Sequence, residues 1–128
     1  MAMKENMEIE VLGDMPFTEL ESLFSSIFPF LVIEIYQSGE PLNGLYKAKK
    51  LSQIGRKKES IAFRIVPEMS VNQLEKLFWE NFGIQMSVFR KVGSSLLETT
   101  FTSAWTLQHQ NQKGVQILND FNLANQSS

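Results

Sequence analysis

The chain has 128 residues, 43% of them apolar, and no cysteine. That length supports one domain with one real core, and the missing cysteine excludes disulfides, thiolate nucleophiles and thiolate metal sites. A net charge of −2 conceals an uneven distribution: residues 1–40 carry one lysine against eight acids, whereas residues 41–64 carry seven basic residues against Glu59 alone.

Taken in chain order, the opening Met1-Ala2-Met3-Lys4-Glu5-Asn6-Met7 lacks the basic start, apolar middle and small-residue cleavage site of a secretory signal. The longest apolar run, residues 28–33, contains Pro29 and is too short to span a bilayer. A soluble cytoplasmic protein without a membrane partner is expected.

Residues 8–36 and 62–90 read as two copies of one strand–helix–strand unit, offset by 54 positions. The offset lays Met15 on Met69, Leu20 on Leu74, Phe24 on Phe78 and Phe28 on Phe82. In the first copy, alternation predicts strands at 8–12 and 30–36. Between them Phe17, Leu20, Leu23, Phe24, Ile27 and Phe28 form one helical stripe, opened by Pro16 and ended by Pro29. The second copy predicts strands at 61–66 and 84–91 around the stripe Val71, Leu74, Leu77, Phe78 and Phe82, opened by Ser70 or Val71 and ended by Gly83. The connection 37–59 contains an Asn43-Gly44 turn and one helical turn at 51–54.

Each helix has a single stripe to bury, so both are expected on one face of an antiparallel sheet. The fold class predicted is α+β, a ferredoxin-like βαββαβ sandwich with strands in the order fourth, first, third, second. Ile9, Val11, Leu31, Ile33, Ile35, Ile61, Phe63, Ile65, Ile84, Met86 and Val88 are the expected inward set. After a turn at Gly93-Ser94-Ser95, a fifth strand at 96–101 and a last helix from 104 or 106 to 119 are added. That helix carries Leu107, Asn111, Val115, Leu118 and Phe121 on one side and Gln108, His109, Gln110, Gln112, Lys113 and Gln116 on the other. The domain is read as residues 1–121 and the tail 122–128 as frayed.

Two surfaces are candidates for binding. Lys47, Lys49, Lys50, Arg56, Lys57 and Lys58 form a basic island that suits nucleic acid or another anion. The same cluster suits a solvated loop that guards a sheet edge. A base-stacking RNA sheet is disfavoured, because the outward positions of the central strands are Glu8, Glu10, Ala62 and Arg64 rather than aromatics. In the expected strand order that face carries Lys91, Glu10, Arg64 and Glu34 across the sheet, with Val32 beside them. Phe30, Tyr36, Arg64 and Phe89 on this face are the candidate protein interface.

Trp79 lies opposite Ser25 in the other copy and is expected at the core margin, covered by the last helix or a loop. Trp105 precedes that helix and is placed to clamp it to the sheet. His109, the only histidine, has amide neighbours that neither ligate metals well nor activate a base. No Gly-x-Ser-x-Gly elbow, dinucleotide fingerprint or phosphate loop occurs. No catalytic residue, metal or cofactor is assigned.

Val88-Phe89-Arg90-Lys91-Val92-Gly93, Thr99-Thr100 and Trp105-Thr106-Leu107-Gln108-His109-Gln110-Asn111 resemble the ending of a group of small uncharacterised bacterial proteins. Those share a Phe-Arg-Lys-x-Gly, Thr-Thr and Trp-Thr-Leu-x-x-Gln-Asn pattern. The resemblance transfers no activity; it implies that residues 105–111 belong to the domain. The function expected is a non-catalytic binding or self-association module that uses the open sheet face or an edge, with sequence-independent nucleic-acid binding through 47–58 as the alternative.

Overall fold

The computed structural model describes residues 7–37, 39–57 and 62–126. The first unit forms β1 (Ile9–Val11), α1 (Phe17–Ile27) and β2 (Leu31–Gln37); the second forms β4 (Phe63–Ile65), α4 (Val71–Phe82) and β5 (Gln85–Val92). Between them come β3 (Glu40–Pro41), α2 (Gly44–Lys47) and α3 (Leu51–Ile54); β6 (Ser95–Glu98) and α5 (Leu107–Gln126) follow. The helix ends have local causes. Pro16 precedes α1 at φ −66°, Ser70 and Gln73 form a reciprocal capping box on α4, and Gly83 closes α4 in the left-handed region at φ 65°.

The class is α+β with antiparallel sheets, but the strands do not pair in the expected order. β1 pairs with β4 alone, as an antiparallel ribbon, and the other four strands form a separate sheet in the order β3-β2-β5-β6. The cause lies in the connection. The chain turns back at Gly39, whose φ of 83° a side chain would strain, and β3 takes one edge of β2. The other edge of β2 then receives β5 in a six-pair ladder from Leu31–Arg90 to Tyr36–Gln85. The expected row of Lys91, Glu10, Arg64 and Glu34 across one sheet is therefore not formed.

The two ladders nevertheless respect the sequence offset. The β1–β4 ribbon is centred on Glu10 and Arg64, and the β2–β5 ladder on the Ile33–Val88 and Glu34–Ser87 pairs; Glu10 and Arg64, Ile33 and Ser87, and Glu34 and Val88 are each 54 positions apart. Backbone contacts recur in the same way. Leu51 N–H donates to Met15 O and Leu107 N–H to Met69 O, while Phe17 N–H donates to Lys49 O and Val71 N–H to Trp105 O. The short α3 thus enters the first half where the long α5 enters the second.

The core holds Phe17, Leu20, Phe24 and Phe28 of the first half against Val71, Leu74, Phe78 and Phe82 of the second, all buried. Phe24 and Phe28 rings lie 5.0 Å apart and Phe78 and Phe82 rings 5.8 Å apart. The inward strand residues are buried as expected, with Phe63 only partly so and Ile61 outside the described residues. Leu23, expected in the stripe, is exposed.

Two boundaries differ from expectation. β6 stops at Glu98 because Thr99 turns inward and donates its Oγ1 hydrogen to Val88 O at 2.7 Å, after which Thr100–Thr102 make a tight turn. α5 continues to Gln126 through most of the tail expected to fray, since no proline or glycine follows Gly114 to break it.

Candidate functional site

Both candidate sites lie at the ends of the β2–β5 ladder. At the Leu31–Arg90 end, α5 is seated by polar contacts rather than by its apolar stripe. Arg90 is only 8% exposed and donates from Nη1 to Gln110 Oε1 at 3.1 Å. Gln110 is fully buried and donates from Nε2 to Thr102 O at 2.8 Å and to Thr102 Oγ1 at 2.6 Å. At the next residue, Asn111 Oδ1 accepts the Phe30 backbone N–H at 2.8 Å. Gly114 then permits close approach, for a Cβ there would lie 2.6 Å from Phe30 Cβ. Arg90, Gln110 and Asn111, all within the carboxy-terminal sequence pattern, thus dock this helix together with Thr102, which lies outside it.

This seating brings Gln110, expected on the polar side of the helix, inward. Leu107, Gln110 and Gly114 point inward, whereas Val115, Leu118 and Phe121 remain exposed, Phe121 at 62%. A buried guanidinium needs a hydrogen-bond acceptor, which Gln110 supplies. Phe121 lies only about 20° from Gln110 around the helix, so it and Leu118 share the inward side and are left exposed where α5 runs on past Gly114. The result is a cleft of about 420 Å³ lined by Phe30, Val92, Ile117, Leu118 and Phe121, with Lys91 at its rim. Leu96, Leu97 and Phe101 on the neighbouring β6 segment are exposed as well.

At the Tyr36–Gln85 end, a smaller cleft of about 210 Å³ is lined by Tyr36, Gln37, Arg56, Trp79 and Gln85 over Ile54 and Ile84. Trp79 was expected to be covered, yet it is 55% exposed. α5 sits at the opposite end of the ladder and never reaches it. Trp105 stacks on His109 at 4.3 Å with planes 6° apart, so it clamps its own helix start rather than the sheet.

The four candidate interface residues are not brought together. Phe30 lines the apolar cleft, Tyr36 the polar one, and half-buried Phe89 lies between Val32 and Glu98 in the sheet. Arg64 is on the other sheet, 3.1 Å from Glu8. This scatter follows from the altered pairing, which removes β1 and β4 from the face that β2 and β5 share.

The basic island is partly consumed. Lys47 Nζ lies 3.3 Å from Glu34 and 3.6 Å from Glu21, and burial pushes the Glu21 carboxyl above its ordinary pKa, with Lys47 opposing. Lys57 donates to the Glu80 carbonyl at 2.7 Å, and Lys49 lies 4.9 Å over the Tyr46 ring. Lys50 and Arg56 are exposed, and Lys58 lies outside the described residues. On α4, burial raises the Glu75 pKa, opposed by a backbone hydrogen bond at Val88.

Among the described residues no group of three or more His, Asp or Glu is disposed to hold a metal, and no helix is long and apolar enough to cross a membrane. No family model matches the chain, and no curated protein or solved structure is significantly similar to it.

Proposed function

We propose that this chain is a non-catalytic module that self-associates through the β6 edge and the exposed apolar residues of α5 beyond Gly114. The observation that carries this reading is the exposed apolar set Leu96, Leu97, Leu118 and Phe121 at an edge strand whose outer side is unpaired among the described residues. Leu97 is paired with Arg90 and so shares the sheet face on which α5 lies. A protein usually covers such a surface.

A second copy fits the edge better than an unrelated strand does. Pairing β6 with itself about a two-fold axis centred on Leu97 sets Leu97 against Leu97 of the copy and Leu96 against Glu98, with no like charges opposed. The opposite edge is protected, since β3 has two residues and one is Pro41. The nucleic-acid reading draws less support, because Lys47 and Lys57 already have partners within the fold.

Size-exclusion chromatography with light scattering tests this. The expected mass is twice the 14.7 kDa of one chain, falling to one chain in Leu97→Lys with Phe121→Glu while the circular dichroism spectrum is retained. Arg64→Glu, on the ribbon, is expected to leave the mass unchanged. A wild-type protein that stays at 14.7 kDa at every concentration refutes the proposal.

A further inference from the structure

We propose that the cleft at the Tyr36–Gln85 end of the ladder binds a small planar aromatic carboxylate, stacked on Trp79 and held by Arg56. α4 does not need Trp79 for its own packing. Val71, Leu74, Phe78 and Phe82 already fill its inward face, and the corresponding position of α1 is Ser25. A large indole left 55% exposed at the wall of a cleft is a surface for another flat group.

The cation is anchored at its root. Lys57 N–H donates to Phe82 O at 3.2 Å, and Gly83 lies so close that a Cβ there would stand 3.2 Å from Arg56 Cβ. The Arg56 backbone is therefore held against the end of α4, and its side chain lines the cleft. Among the described residues no carboxylate lines the cleft, and none forms an ion pair with Arg56. An Arg fork without an acid is ready for a carboxylate from outside.

The rest of the lining selects ligand class. Gln37 and Gln85 supply amides and Tyr36 a phenol at the rim, so polar substituents on a ring edge find donors and acceptors. A sugar, rich in hydroxyl donors, is best served by carboxylate acceptors, and none lines the cleft among the described residues. A volume of about 210 Å³ falls below the roughly 300–1,000 Å³ common for drug-sized ligands and suits one or two fused rings. This site does not depend on self-association, because it lies at the other end of the ladder from α5.

The test is an ¹H–¹⁵N NMR titration of the full chain with indole-3-acetate, read at the Trp79 indole N–H. Saturable shifts are expected, with a dissociation constant of about 1 mM or tighter. Indole-3-acetamide, which lacks the charge, and D-glucuronate, which lacks the aromatic face, are each expected to bind at least about tenfold more weakly. Arg56→Ala should remove the preference for acetate over acetamide, Trp79→Leu, followed at the Gly83 and Gln85 amides, should remove saturable binding, and Lys76→Ala should change neither. The same spectra show whether each variant is folded. Three results overturn the proposal: absence of saturable shifts in the wild type, unchanged preference in Arg56→Ala, or glucuronate bound as tightly as indole-3-acetate.

Discussion

Gly114→Ala separates a helix seated by close backbone approach from one that merely rests on the sheet. Alanine in a helix interior is favoured over glycine by about 1 kcal/mol, so an uncrowded site would be stabilised. Here the new Cβ would stand 2.6 Å from Phe30 Cβ and 3.0 Å from Phe30 Cγ, whereas carbon atoms prefer about 3.5–4.0 Å. α5 must move out by about 1 Å, stretching the 2.8 Å bond from Phe30 N–H to Asn111 and the 3.1 Å bond from Arg90 to Gln110. Overpacking costs about 1–3 kcal/mol and a weakened hydrogen bond about 1 kcal/mol. Net destabilisation of about 1–3 kcal/mol is expected. In a Phe30→Gly background the clashing atoms are gone, and the same substitution should stabilise by up to about 1 kcal/mol. Urea denaturation of all four proteins closes the cycle. A stabilising effect of Gly114→Ala in the otherwise native chain would refute the seating described for α5.

Two further predictions concern buried polar groups. Gln110→Leu removes the acceptor of the Arg90 guanidinium and should cost about 2–3 kcal/mol in chemical denaturation, whereas Arg90→Met with Gln110→Leu should recover much of it, because both polar partners are then absent. Glu75 binds its proton more tightly in the fold than in the unfolded chain, since burial raises its pKa. Its contribution therefore falls as pH rises from about 4 through the folded pKa and stays lower above it. Glu75→Gln should raise the melting temperature at neutral pH and flatten this part of the profile; an unaltered profile would show that Glu75 does not titrate differently on folding.

Elements governed by local rules were legible in the sequence. The stripe from Phe17 to Phe28, the capping positions Pro16 and Ser70, and the stops at Pro29 and Gly83 depend on spacing within a few residues, and the structure reproduces them. Strand positions were legible for the same reason, but strand partners were not. Pairing is decided between distant segments, and one two-residue strand after Gly39 diverts β2 toward β5. Gln110 was placed on the wrong side of α5 because hydropathy ranks it below Val115 and Leu118. Only the position of the Arg90 guanidinium reverses that order. The exposure of Trp79 was foreshadowed by its contrast with Ser25, although the reading that it was covered took α5 to the wrong end of the ladder.

The two ends of the β2–β5 ladder occupy positions related by the 54-residue offset, yet they differ in character. Each has a left-handed glycine at a hairpin tip, Gly39 at φ 83° and Gly93 at φ 61°, and each meets the second helix of one half. α5 runs on past Gly114 and makes its end apolar, whereas α3 stops after one turn at Gly55, where a Cβ would collide with the Phe82 carbonyl. Stopping there leaves Trp79 uncovered and brings Arg56 beside it. Five residue steps of about 3.4 Å separate the terminal pairs of the ladder, a distance of about 17 Å. An assembly formed at the apolar end therefore leaves the polar cleft open in each copy. The same length difference between α3 and α5 leaves apolar residues exposed at one end of the ladder and Trp79 uncovered at the other.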